Sequence, residues 1–446
     1  MRRFSATSNA TEAGPANARF SPQSRLLLAM LLAVYTCNFV DRYIMSLLLE
    51  PLRHEFNLSD RQLGIMGSLV YGLAYAMAGI PMGLLVDRIS RKKLITVTLL
   101  LWSSLTALSA AATSYVSMLI IRSGVGAAES AAAPASYSMI ADSFPPSRRA
   151  TAAGIFFVAS PLGLFISFAG GGYLVAEYGW RAAFLVAGLP GVVLAVLTLL
   201  LLREPERGRY DRAAAQSHDP IQPAPLMETL RYLANDRLLL CMIGALMLTA
   251  MSAASMTAWT ASYFVRLHDL PLRDVGLLIA TLGGLAIIVG SAGSGWLADR
   301  LAGRDIRWPL WLAGCGALLA MLCGLLMAYA GTLAIAAIGM FLYKGMAATH
   351  IGPSFATTIN NAPVSMRGTI MSIQQVALNF VGFGLGPLVT GILSDGFGGG
   401  DSLRPAIAMT LAINLPAALM LLIAAWQVQK RAQAQSGPSL SAGDNI

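Results

Sequence analysis

Twelve long and nearly uncharged apolar runs constrain this chain more than any other feature. They lie at roughly 25–49, 62–86, 94–113, 115–141, 151–176, 181–202, 236–264, 273–298, 308–329, 331–357, 368–393 and 403–427. A helix needs about 20 apolar residues to cross a hydrocarbon core of ~30 Å, and each run supplies that. Membrane strands alternate apolar with polar residues, whereas these runs are continuous, so a β-barrel is excluded. Composition agrees, since 56% of the 446 residues are hydrophobic and 12% are charged. Soluble domains carry about 25% charged residues, and a soluble fold with less could not clothe its surface. The chain therefore reads as an all-α membrane protein with twelve transmembrane helices.

One connection is longer than the rest. Residues 203–235 are first charged and then proline-rich, and they divide the spans six and six. That organisation predicts an N-terminal six-helix bundle over 25–202, a linker over 203–235 and a C-terminal bundle over 236–428. Residues 1–24 and 429–446 are polar and read as disordered tails. No apolar stretch precedes a small-residue cleavage site near the start, so no signal peptide is expected. The net charge of +9 invites a nucleic-acid reading, but the charges sit in the connections between runs. Twenty-two Lys and Arg fall on the side of both termini and the linker, and six on the other. The positive-inside rule then places both termini in the cytoplasm. The four cysteines lie within apolar runs, where small buried hydrophobes are the plainest reading. There is no CxxC pair for a metal, and no Walker A string, HExxH or nucleophile elbow. Neither a cofactor nor catalysis is expected.

The halves repeat. GLLVDRISRKK (83–93) follows span 2 and GWLADRLAGRD (295–305) follows span 8. Gly83 aligns with Gly295, Asp87 with Asp299 and Arg88 with Arg300, all at an offset of 212. A second echo joins RATAAGIFFVA from Arg149 to RGTIMSIQQVA from Arg367. Both echoes put matching loops on one side, so the halves are parallel repeats about an axis along the membrane normal.

This pattern resembles the major facilitator superfamily over about residues 25–428. The family's loop motif Gly-x-x-x-Asp-Arg-x-Gly-Arg-Arg/Lys is carried here by Gly83, Asp87, Arg88, Arg91 and Lys92, with Ser90 in place of the usual glycine. Two further stretches resemble the Spinster branch: Asn38-x-x-Asp41-Arg42 in span 1, and Arg122-x-x-x-Gly126-x-x-Glu129 in span 4. The resemblance implies two pseudo-symmetric six-helix bundles and proton-coupled carriage of lysolipids or sphingoid phosphates by alternating access. It also implies a gate: Asp87 would cap the start of span 11 near Gly368, and Arg88 and Arg91 would face Asp142. Those contacts, with their repeat at Asp299 and Arg300, would hold the outward-open state. GFGLGP (382–387) in span 11 is similar to an antiporter bend motif, but its counterpart in span 5 is degraded.

The charges inside the spans carry the argument without the family. Asp41, Arg42, Arg122, Glu129 and Lys344 lie in spans 1, 4 and 10. Each costs at least ~2.5–3.5 kcal/mol at mid-bilayer on insertion scales, so each needs a reason. If each half is two three-helix units, spans 1, 4, 7 and 10 are the leading helices, and all three charged spans belong to that set. They are expected to line a central polar cavity. Span 7 adds no charge but brings hydroxyls, among them Tyr263. Arg122 and Glu129 lie two turns apart on one face, about 10.5 Å along the axis, too far for a tight direct pair. Buried ion pairs are poor stabilisers, so two carboxylates at this depth read as proton sites. Asp41 and Glu129 are thus the expected proton-coupling residues, and Arg42, Arg122, Glu129, Lys344 and Tyr263 the expected substrate contacts. Protonation of Asp41 is expected to free Arg42, whose planar fork suits a phosphate. The function read from sequence is a monomeric, proton-coupled carrier of an amphiphilic anionic or zwitterionic lipid in a bacterial inner membrane. A carrier of small organic anions or drugs is the alternative.

Overall fold

The computed structural model describes residues 21–208, 224–363 and 365–435. The expected N-terminal tail, the middle of the linker and the last eleven residues therefore lie outside the described residues, apart from their edges. At those edges the expected boundaries shift. Span 1 begins at Pro22, where Ser21 caps the helix and proline at N1 is pre-organised for it. The last helix runs on to Gln435, because its polar tail residues are good helix formers. The end of the linker is also helical, over Leu226–Asn235.

Among the described residues, ten helices are long and apolar enough to cross a membrane. One of them, Thr151–Leu201, is two crossings joined at Gly179, whose φ of 79° breaks the helix. Span 4 escapes that test because it is broken into Tyr115–Glu129 and Ala132–Ser143. Pro134 explains the break, since it cannot donate to the carbonyl of Ser130 one turn earlier. Twelve crossings result. Span 1 is Pro22–Phe56, span 2 Asp60–Val86, span 3 Arg91–Ala111, and spans 5 and 6 flank Gly179. Spans 7 to 12 begin at Arg237, Leu272, Trp308, Leu333, Arg367 and Leu403. Side-chain caps start many of them: Ser59 with Gln62 forms a capping box on span 2, Ser90 caps span 3 and Asp236 caps span 7.

The repeat is written into the backbone. Span 1 ends at Asn57 (φ 51°) and span 7 at Asp269 (φ 50°), both left-handed and 212 positions apart. Gly179 (φ 79°) and Gly398 (φ 65°) likewise end spans 5 and 11. Spans 2, 5, 8 and 11 each contain a π-helical turn, at Ile65–Leu69, Ile166–Gly170, Ile279–Gly283 and Leu378–Leu385. These turns meet in pairs across the bundle interface, span 2 on span 11 and span 5 on span 8. π turns inside α-helices mark functional positions more often than chance.

The two bundles share a core at one end. Leu48, Leu52, Phe168 and Phe184 of the first half pack in one buried cluster with Trp259, Phe264 and Ile279 of the second. At the end bearing the termini the cores are separate. Leu27, Trp102, Phe144 and Leu202 form one, and Leu238, Leu310 and Leu421 another. The molecule is therefore closed at the far end and parted at the termini-bearing end.

Candidate functional site

Arg42 lies at the centre of the site. It is next to Asp41 in sequence but does not pair with it, because adjacent side chains on a helix point about 100° apart. Its Nε faces Glu129 Oε2 at 3.4 Å, with side-chain exposures of 17% and 0%. The guanidinium also stands over the rings of Tyr71 (5.2 Å), Tyr75 (5.0 Å) and Phe39 (6.0 Å). Cation–π attraction of this kind is worth most when the cation is desolvated. The expectation that Asp41 restrains Arg42 is thus corrected: Glu129 does.

Asp41 is buried, and neither carboxylate oxygen has a hydrogen-bond partner among the described residues. Arg122 reaches the backbone carbonyl of Asp41 at 3.5 Å, and its Nε and Nη1 are buried without partners. Arg122 and Glu129 are not paired to each other, as their axial separation foretold. Tyr71 links them. Its ring lies 5.5 Å from the Arg122 guanidinium, and its hydroxyl donates to Glu129 Oε2. Gly126, one of two glycines between Arg122 and Glu129, makes this possible. A Cβ there would collide with the Tyr71 carbonyl, so only glycine lets spans 2 and 4 approach so closely.

A pocket opens in front of this cluster, between the two halves. One wall holds Arg42, Arg122, Tyr71 and Tyr43, and the other Ala254, Thr257 and Ala258 of span 7 with Phe383 and Pro387 of span 11. Its volume is about 70 Å³, well below the 300–1,000 Å³ of a drug-sized site.

Not every expected residue meets here. Glu129 and Asp41 sit behind the pocket wall rather than in it. Lys344 is buried elsewhere, its stem 3.0 Å from a Cβ placed on Gly283 of span 8, with no ion pair or hydrogen bond among the described residues. A single shared chamber for all five charges is therefore not what the chain forms. Tyr263 is also remote. It is fully buried near the far end, donates to the carbonyl of Met327 and lies 3.1 Å from His268 Nε2. Five residues before its helix ends at His268, that position is packed by the shared core rather than by the pocket.

The gate motif is divided. The side chains of Asp87 and Asp299 lie outside the described residues. Arg88 is exposed, Arg300 rests on Trp296 at 5.5 Å, and a Cβ on Gly83 would meet nothing. Arg91 is fully buried and bonds Asp142, Ser138 Oγ (2.8 Å) and the Pro205 carbonyl (2.8 Å). All of these belong to the first half or its linker, so Arg91 clasps the linker rather than the other bundle. Glu204 completes the clasp by accepting from the Arg91 backbone N–H at 2.8 Å and from Ser90.

Sequence reasoning missed Tyr71, Tyr75 and Glu204, and a far-end cluster of Glu50, Asp60, Arg266 and Asp395. A signal existed for the first two: tyrosines at i and i+4 in an apolar span share one face. The aromatic ladder Tyr35–Phe39–Tyr43 on span 1 offers the same signal.

Comparison with known proteins is consistent with this geometry. The profile of the Major Facilitator Superfamily matches residues 31–384. An "MFS-type efflux pump" of Mycolicibacterium smegmatis is 29% identical over 405 residues, covering 90% of this chain and 89% of that protein. A "Probable L-galactonate transporter" of Escherichia coli is 26% identical, covering 82% and 83%. A solved structure of a bacterial homologue of the human lysosomal transporter Spinster, inward-facing and unoccupied, superposes with a TM-score of 0.80. It is 23% identical and the match covers 92% of this chain and 98% of that one.

Proposed function

The chain belongs to the Major Facilitator Superfamily and is a secondary transporter rather than an enzyme; we propose that it carries an amphiphilic anionic or zwitterionic lipid, such as a lysophospholipid or sphingoid phosphate, driven by protons. The observation that carries this reading is the two-faced pocket. Two guanidinium groups, Arg42 and Arg122, stand on one wall, and small and aromatic apolar side chains on the other. A planar guanidinium offers forked donors to a phosphate or carboxylate, and the apolar wall accepts the start of a hydrocarbon chain.

Proton coupling rests on Glu129 and Asp41, two carboxyl groups buried at membrane depth, with both Asp41 oxygens and Glu129 Oε1 lacking a hydrogen-bond partner among the described residues. With Glu129 ionised, Arg42 is held by it. When Glu129 takes a proton, that attraction is lost and Arg42 is available to the head group. Proton and anion then favour each other's binding, which is the linkage a symporter needs. The rocking of the halves exposes the pocket alternately to each side. The protein sits as a monomer in the bacterial inner membrane with both termini cytoplasmic, supported by the excess of Lys and Arg on that side. The parted end is then the cytoplasmic one. The Arg91–Asp142 clasp is the gate element that steadies the first half there.

A second reading is a proton-linked carrier of small organic anions. The small pocket volume favours it, as does the relative named for L-galactonate. Flux into proteoliposomes, with and without an imposed pH gradient, decides between them over lysophospholipids, sphingoid phosphates and sugar acids. Gradient-driven accumulation of the lipids alone supports the first reading, and of the sugar acids alone the second. Asp41→Asn is expected to abolish the gradient dependence while leaving folding intact; unchanged dependence removes Asp41 from the mechanism.

A further inference from the structure

The pocket and its buried carboxylate do not touch directly. Arg42, Arg122 and Tyr71 line the pocket, and Glu129 does not. Tyr71 is 7% exposed, with its hydroxyl on Glu129 Oε2 and its ring between the Arg42 and Arg122 guanidinium groups at 5.2 and 5.5 Å. Glu129 Oε1 is buried without a partner, so Oε2 carries the carboxylate's contacts with the site.

We propose that Tyr71 is the positioning residue that transmits the protonation state of Glu129 to the substrate pocket. A phenol can donate or accept. Facing an ionised Glu129 it must donate, and its proton is committed inward. Once Glu129 is protonated, the carboxyl O–H becomes the donor and the Tyr71 oxygen the acceptor. The phenolic proton is then free to turn toward the pocket and bind an anionic oxygen. No covalent bond to carbon changes. One proton is added to Glu129, and one hydrogen bond reverses direction. Arg42 is released by the same event, so the pocket gains one donor and one unshared cation together. The charged and titratable groups around Glu129 are Tyr35, Asp41 and Arg42 of span 1, Tyr71 of span 2 and Arg122 of span 4, with Tyr75 beside Tyr71 and Arg42. Of these, Tyr71 is the one that both lines the pocket and hydrogen-bonds Glu129 as a neutral group.

This proposal rests on the proton-coupled reading above, and the experiment separates the two. Tyr71→Phe keeps the ring over both guanidinium groups and removes the hydroxyl. In proteoliposomes, gradient-driven uptake is expected to fall at least tenfold, and substrate counterflow at equal pH by a clearly smaller factor, because Arg42 and Arg122 still hold the anion when the phenol is gone. In a Glu129→Gln background the same substitution is expected to add nothing, because the two act as one unit. Equal loss of both activities, no loss of either, or an additional loss in that background overturns the proposal. A second readout does not depend on transport. The infrared carboxyl band that disappears in Glu129→Gln is expected to move in Tyr71→Phe, and a band left in place overturns the proposal. Absence of gradient-driven uptake by the unsubstituted protein would instead sink the proton-coupled reading, with the infrared band still deciding the role of Tyr71.

Discussion

Arg266 of span 7 crosses the bundle interface to Asp60 of span 2 at 2.8 Å, while its Nε holds Glu50 of span 1 at 2.7 Å. Ser394 of span 11 donates to the same Asp60 carboxylate at 2.6 Å, and Asp395 accepts from the backbone of Asp60 and Arg61. Span 2 is thus capped at its first turn by a residue of the other half. This network, together with the shared apolar core beneath it, closes the far end.

Removing the guanidinium leaves the buried Glu50 and Asp60 carboxylates with only the more exposed and more distant Arg53, at 3.5 and 3.8 Å, as a shared cation. Stranding one partner of a buried pair costs about 3–5 kcal/mol. Arg266→Ala is therefore expected to shift the population from the closed far end toward an open one by a factor of a hundred or more. Spin-label distances between the halves, measured across the far end, read this directly. A distribution identical to that of the unsubstituted protein would show that the apolar core alone keeps this end shut.

Two glycines predict opposite outcomes. A Cβ at Gly64 would come within 2.7 Å of the Leu388 Cα in the opposing half, whereas one at Gly83 meets nothing within 4 Å. Gly64→Ala is expected to force the halves apart at an overpacking cost of about 1–3 kcal/mol. Gly83→Ala is expected to gain slightly in stability, since alanine costs less entropy in a helix. Thermal unfolding in detergent distinguishes them. Equal effects would mean that the halves do not touch at Gly64.

The linker clasp carries a pH dependence. Burial alone raises the proton affinity of Glu204. The bonds from the Ser90 hydroxyl, the Arg91 backbone and the Arg91 side chain outweigh it and hold the carboxyl below its ordinary 4.5. A depressed value means the clasp is fully present above about pH 4.5 and is lost as pH falls through the lowered value. Proteolysis after Arg203 or Arg207 is expected to stay slow from pH 5 to 8 and to accelerate only at greater acidity. In Arg91→Lys, a single ammonium cannot reach Asp142, Ser138 and the Pro205 carbonyl at once, so cleavage is expected to be fast throughout. A slow Arg91→Lys protein would count against the clasp.

Lys344 is buried with no ionic or hydrogen-bonding partner among the described residues, a costly state in a membrane. Lys344→Met removes that charge at similar volume. The protein is expected to unfold at equal or higher temperature, while transport of an anionic solute slows several-fold. A loss of stability without any change in transport would assign Lys344 to packing alone.

Much of this molecule was legible before any coordinates. Hydropathy is a local property of each segment, so the apolar runs alone marked twelve crossings, and the offset of 212 between Asp87 and Asp299 returns in the backbone as Asn57 and Asp269. The expense of a buried charge singled out Asp41, Arg42, Arg122 and Glu129 before their surroundings were known. Which partner each charge meets is a different kind of question. Arg42 is held by Glu129 rather than Asp41, Tyr71 stands between pocket and carboxylate, and Lys344 and Tyr263 face other seams. These follow from how helices from distant parts of the chain are rotated and pressed together, at contacts such as Gly126 on Tyr71 and Gly64 on Leu388. Such contacts join residues far apart in sequence. Only the packed fold brings them within the few ångströms over which hydrogen bonds and ion pairs act.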